Sequence, residues 1–224
     1  MNPPLRIVVL ISGSGSNLQS LIDDAKLPGS LYDIVAVLSN KPEAYGLERA
    51  AKAHIDQICI KHQDFPDRES FDSALVHALE GYQPDLVILA GFMRILTASF
   101  VSRFKGKLLN IHPSLLPKYP GLHTHQRAID AGDSEAGCTV HFVTEDLDGG
   151  PPILQAKVPV LANDSPDLLA TRVLAKEHLV YPLVARWFAR TRVELQGDNA
   201  LIDQQPIAES GLIYDQLAPD LLNV

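Results

Sequence analysis

The sequence predicts an α/β fold, a Rossmann-like and mostly parallel sheet flanked by helices, with an antiparallel portion in the C-terminal half. Three observations carry this. Residues 5–11, 34–38 and 86–90 are almost continuously apolar, as strands covered on both faces must be. Stretches with apolar residues at helical spacing lie between them, the order that right-handed parallel crossovers require. From Cys138 onward two β-branched runs instead follow one another across a Gly- and Pro-rich turn, which favours antiparallel pairing.

Each element has a local reason. Residues 5–11 form a buried strand that Ser12-Gly13-Ser14-Gly15 ends in a tight turn. Residues 17–25 are helical, with Leu18, Leu21, Ile22 and Ala25 on one face. Residues 34–38 are the second strand and 44–53 the second helix, followed by a short strand over 55–60. A helix over 67–80, with its cap expected near Asp64, leads to the buried strand 86–90. Residues 107–110 form a short strand that feeds a proline-rich loop. Residues 138–144 and 153–158 are the antiparallel pair. Ser165 caps a long amphipathic helix over 167–190, with Pro166 at its first position. Val193-Glu194-Leu195 and Ala200-Leu201-Ile202 flank Gly197-Asp198-Asn199, the pattern of a hairpin.

Composition bounds the function. With 224 residues, 46% hydrophobic and 21% charged, the chain can bury a large core without disulfide or metal. It shows no repeat, low-complexity tract or linker, so a single domain over 1–224 is expected, with residues after about 204 a loosely held tail. A formal net charge of −8 argues against nucleic acid as a partner. It leaves room for a local basic pocket that holds one phosphate. No stretch is long and apolar enough for a membrane span, and the N-terminal apolar run is too short for a signal peptide. A cytoplasmic location is therefore expected. Cys59 and Cys138 read as reduced, buried thiols, although sequence alone leaves a disulfide open.

Four segments carry residues suited to chemistry. The first is Asn110-Ile111-His112-Pro113-Ser114-Leu115-Leu116-Pro117-Lys118-Tyr119-Pro120-Gly121, with three prolines within eight residues. Prolines fix φ and remove donors, so this is a rigid, shaped loop. Asn110 and His112 are two apart and share a face if the strand continues. An amide beside an imidazole suits a carbonyl that becomes an oxyanion. Spacing alone does not choose between this and a surface turn whose Asn caps a backbone group.

The second segment is Gly13-Ser14-Gly15-Ser16-Asn17, between a strand and a helix start. Such a loop brings backbone N–H groups to an anion. Leu18 stands where a dinucleotide fingerprint needs its third glycine, so a single phosphate fits better, or a turn without ligand. The third is Met93-Arg94-Ile95-Leu96, after a strand's carboxyl end, where open α/β sheets bind ligands. Phe92, Ile95 and Leu96 could equally be plain core, and Arg94 a surface charge. The fourth is Asp148 in Glu145-Asp146-Leu147-Asp148-Gly149-Gly150. A carboxylate there gains meaning only from a partner such as His112, which it can orient and hold protonated. His123-Thr124-His125 has no accompanying Cys or carboxylate cluster, so no metal is expected, and residues 123–131 read as a helix. His141 reads as a satisfied core histidine, and His178 as a helix residue beside Glu177.

These motifs together resemble a known family. Asn110-Ile111-His112-Pro113-Ser114-Leu115-Leu116-Pro117, Ile11 to Leu18, Ala90-Gly91-Phe92-Met93-Arg94-Ile95-Leu96, and His141-Phe142-Val143-Thr144 through Asp148-Gly149-Gly150 are similar, in this order, to the formyltetrahydrofolate-dependent formyltransferases. The likeness is greatest to members that formylate glycinamide ribonucleotide (GAR) in purine biosynthesis, a branch of one-carbon metabolism. It covers roughly residues 5–190. It implies 10-formyltetrahydrofolate as co-substrate, no metal, and direct attack of the GAR amine through a tetrahedral intermediate. It implies Asn110, His112 and Asp148 as catalytic residues. It assigns Gly13, Ser14, Gly15, Ser16, Asn17, Arg68 and Glu177 to GAR, the last two near phosphate and sugar. It assigns Met93, Arg94, Ile95, Leu96, Val143 and Asp148 to folate. Partners are these small molecules, with a homodimer left open. Two alternatives stay beside this reading. A formyltetrahydrofolate hydrolase shares the Asn, His and Asp but carries a preceding regulatory domain, which is not expected in a chain whose first strand starts at residue 5. A non-catalytic nucleotide- or folate-binding module would keep the pocket. A formyltransferase of methionyl-tRNA is disfavoured by the acidic charge and the expected lack of a further C-terminal domain.

Overall fold

The computed structural model describes residues 3–222. They fall into two compact units that meet in sequence at Asn110 and Ile111. The fold is α/β with mostly parallel pairing, as expected.

In the first unit, strands β1 (Leu5–Ile11), β2 (Tyr32–Ser39), β3 (Asp56–Cys59), β4 (Leu86–Leu89) and the start of β5 (Leu108–His112) alternate with helices α1 (Ser16–Ala25), α2 (Tyr45–Lys52), α3 (Arg68–Tyr82) and α4 (Ala98–Arg103). Every pairing here is parallel, in the order β3-β2-β1-β4-β5. Residues 7–11 of β1 are fully buried, which explains their unbroken apolar run. Asp67, not Asp64, caps α3: its carboxylate accepts from Ser70 N at 2.7 Å. Asp64 lies in a separate 3₁₀ turn, His62–Asp64. Helix α4 was not expected. It has six residues and too few apolar positions to announce a period, and Thr97 caps it by accepting from Phe100 N. Cys59 is exposed on β3, contrary to the expected buried thiol, because β3 has only one partner strand, β2.

The second unit takes the end of β5, then α5 (Thr124–Asp130), β6 (Glu135–Phe142), β7 (Pro152–Pro159), α6 (Pro166–Ala189), β8 (Val193–Gln196), β9 (Asn199–Ile202), β10 (Gln205–Pro206), β11 (Leu212–Ile213) and α7 (Pro219–Leu222). Strands β6 and β7 are antiparallel, and β8-β9-β10 form a separate antiparallel sheet. Helix α6 packs on β6 and β7 with Val173, Val180, Tyr181, Val184 and Trp187 fully buried. Ser165 caps α6, accepting from Leu168 N. The segment after Gln204, expected as a loose tail, is attached at several points. Strand β11 pairs parallel with β7, Lys176 meets Asp215 at 3.0 Å, and Trp187 Nε1 donates to the Leu221 carbonyl at 2.8 Å. No helix among the described residues is long and apolar enough to cross a membrane.

Candidate active site

Strand β5 runs through His112 instead of stopping at Asn110, so the two residues lie on one face of one strand. Asn110 is half-buried and His112 is only 6% exposed. The imidazole sits between two acceptors. His112 Nε2 is 2.8 Å from the Tyr119 carbonyl oxygen, and Nδ1 is 3.4 Å from Asp148 Oδ2. A carbonyl can only accept, so Nε2 carries a proton. Asp148 Oδ2 faces Nδ1, so each ring nitrogen has an oxygen acceptor beside it in a nearly dry setting.

Asp148 is itself held. Its Oδ2 also accepts from Gly121 N at 2.8 Å, and its backbone is left-handed at φ 52°. That conformation is costly for residues other than Gly, Asn and Asp. Gly150 follows because a Cβ there would collide with the Phe142 carbonyl oxygen. His141 approaches from the other side, with Nε2 4.0 Å from Asp148 Oδ1. Burial pushes its pKa down to about 4, so it stays neutral beside Asp148. Its Nδ1 donates to the Phe142 carbonyl, as a satisfied core histidine should.

The proline loop is pinned from beneath by residues that the sequence did not single out. Thr139 Oγ1 donates to the Ser114 carbonyl at 2.7 Å and accepts from Leu116 N at 3.1 Å. Gln155 Nε2 reaches both the Leu116 carbonyl and Thr139. Ser114 Oγ donates to the Lys118 carbonyl at 2.6 Å. Asp133 gathers Lys118 Nζ and Tyr119 OH, each at 2.9 Å, and Arg127 donates to the Pro120 carbonyl while lying over the Tyr119 ring. Polar residues that alternate along β6 and β7 were the available signal, since a buried Thr and Gln need local partners. His123 and His125 contribute the start of α5; among the described residues no group of three or more His, Cys, Asp or Glu is placed to hold a metal ion.

In the first unit the glycine loop is braced against α2. Gly15 is left-handed at φ 68°, and a Cβ on it would come within 2.7 Å of Gly46 Cα. Gly46 N donates to the Gly13 carbonyl at 3.0 Å, and Arg49 Nε to the Ser14 carbonyl at 2.8 Å. Gly13 and Ser14 are exposed, whereas Asn17 is buried. Helix α1 begins at Ser16 with no acidic residue in its first turn. Its first N–H groups and its dipole suit an anion. Arg68 is exposed at the first position of α3. Glu177, in the second unit, is buried on α6 and not a surface carboxylate; burial first and Glu177 second raise the Cys138 pKa.

Residues 93–96 form an exposed loop between β4 and α4. Met93 is 64% and Ile95 56% exposed, so neither is core, and Leu96 is half-buried. Arg94 lies over the Phe71 ring at 5.7 Å, which removes it from the plain surface charges. Val143 is half-buried just past β6.

A family model, described as formyl transferase, matches residues 5–185. The chain belongs to the formyl transferase family. It is 53% identical over 212 residues to the phosphoribosylglycinamide formyltransferase of Escherichia coli (strain K12), covering 95% of this chain and all of that one. The Haemophilus influenzae phosphoribosylglycinamide formyltransferase is 48% identical, over 92% of this chain and 97% of its own. Among solved structures, the phosphoribosylglycinamide formyltransferase from Coxiella burnetii in complex with CHES superposes with a TM-score of 0.91 at 49% identity, covering 94% of this chain and 99% of that one.

Proposed function

We propose that this chain is a phosphoribosylglycinamide formyltransferase. It transfers the formyl group of 10-formyltetrahydrofolate to the amine of GAR in purine biosynthesis. Formyl-folate is the co-substrate of the family, and the relatives above bear this activity in their names over essentially their whole length. The observation that carries the mechanism is the buried His112–Asp148 pair, with His112 two residues beyond Asn110 on the same strand. The GAR amine attacks the formyl carbon and a tetrahedral oxyanion forms. The Asn110 amide donates to it. The His112 imidazolium exchanges its Tyr119 carbonyl for the same oxygen, while Asp148 keeps the ring charged. As the folate C–N bond breaks, the proton lost by the amine passes by way of Asp148 and water to the leaving folate nitrogen. No covalent enzyme intermediate is required.

The loop of residues 13–17 and the start of α1 receive the GAR phosphate, with Arg68 and Glu177 assigned to phosphate and sugar. Residues 93–96, Val143 and Asp148 receive the folate. Both compact units serve one catalytic domain, which acts in the cytoplasm without metal. The test follows deformylated folate with and without GAR. Product that requires GAR supports the transferase. Equal product without GAR means a hydrolase, and no product with either means a binding module. Alanine at Asn110 or His112 is expected to lower kcat ~100-fold or more, the scale of a lost oxyanion donor.

A further inference from the structure

A buried chain of hydrogen bonds leads from the loop of residues 93–96 to a histidine outside every motif described so far. Met93 N donates to Ser12 Oγ at 2.8 Å. Ser12 Oγ donates to Asn40 Oδ1 at 2.6 Å. Asn40 Nδ2 lies 3.2 Å from His62 Nδ1. Ser12 and Asn40 are 5% and 3% exposed, so bulk water does not substitute for these partners.

The chain has one direction. A backbone N–H can only donate, so Ser12 accepts from Met93 and its own proton goes to Asn40. The Asn40 NH₂ must also donate, so His62 Nδ1 accepts and the ring proton sits on Nε2. The other arrangement, Nδ1–H toward the Asn40 carbonyl at 3.4 Å, is longer and turns two donors toward each other. His62 is the terminal acceptor of the row.

The same residues secure the loop elsewhere. The His62 ring meets Phe71 edge-on at 6.3 Å, and Phe71 carries Arg94 on its face at 5.7 Å. The next residue, Asp72, accepts from Thr97 N at 2.6 Å. The loop is therefore held at Met93, Arg94 and Thr97, while the Met93 and Ile95 side chains stand exposed. We propose that His62, acting through Asn40 and Ser12, is a positioning residue that sets the Met93 loop for the folate. The proposal rests on the assignment of that loop to folate.

The test uses the full chain with His62→Leu and His62→Asn. Asn places an acceptor oxygen near the Nδ1 position, whereas Leu has none. His62→Leu is expected to raise KM for the formyl-folate roughly tenfold, the worth of one hydrogen bond. KM for GAR and kcat stay within about twofold, and His62→Asn restores KM. Without any ligand, the Met93 amide resonance shifts in His62→Leu and returns in His62→Asn. An unmoved Met93 amide in His62→Leu, or a His62→Asn variant as impaired as His62→Leu, overturns the proposal. A shifted amide with unchanged folate KM upholds the hydrogen-bond row and overturns the assignment of the loop to folate.

Discussion

Replacing Asp148 by Asn removes the charge opposite His112 and the carboxylate that relays the amine proton, and leaves the shape of the site almost unchanged. Asn tolerates the left-handed backbone at φ 52°, which Ala does poorly. Its side-chain oxygen can occupy the place of Oδ2, where it still accepts from Gly121 N and from His112 Nδ1. The new NH₂ then faces His141 Nε2, a neutral ring that can accept. The hydrogen bonds survive and the Coulomb attraction goes. At 3.4 Å and an effective dielectric of about 20, that attraction is ~5 kcal/mol. If about half of it is expressed in the transition state, kcat falls by ~2.5 kcal/mol, or roughly 70-fold. The assay is steady-state formyl transfer to GAR, with urea unfolding to show that the variant is folded under the assay conditions. A folded Asp148→Asn enzyme within about threefold of wild-type kcat would refute the role of the ion pair.

Three further outcomes are expected. Gly13→Val raises KM for GAR far more than KM for folate, since a Cβ at Gly13 meets nothing within 4 Å and only blocks the approach of an anion. Gly15→Val is a poor probe of the same idea: a left-handed backbone and contact with Gly46 cost ~2–5 kcal/mol of stability, to be read by urea unfolding. His141 is buried with its pKa lowered to about 4 from 6.5, so the unfolded chain binds the extra proton first as pH falls. Its contribution is fully present above pH 6.5 and is lost, by ~3 kcal/mol, as pH drops toward 4; His141→Asn should lose less stability over that window. Exhaustive chelation leaves activity intact, and elemental analysis finds no stoichiometric metal; one tightly bound zinc whose removal abolishes turnover would refute this and make His112 a candidate ligand.

Much of the fold was legible because its signals are local. The unbroken apolar run of β1, the Ser165-Pro166 start of α6 and the hairpin around Gly197 each follow from a few neighbouring residues. Asn110 and His112 could be placed on one face because a strand alternates with period two, whatever it packs against. The Met93 loop and Asp148 were found by resemblance, since nothing in their own spacing separates a ligand loop from an ordinary turn.

The rest depended on partners far away in sequence. Asp67 outcompetes Asp64 as a cap through one hydrogen bond to Ser70, a choice between two equally suitable residues. Thr139 and Gln155 matter because β6 and β7 bring them under Ser114 and Leu116. The segment after Gln204 has no sustained apolar period of its own, yet β7, Lys176 and Trp187 anchor it. The sequence by itself determined the α/β alternation, the family and the candidate residues proposed for catalysis. Only the tertiary structure decided which side chains are buried together, and so which proton His112 holds against Tyr119 and Asp148. Hydrogen-bond polarity is a property of pairs, and here the pairs are made by chain segments that meet only after folding.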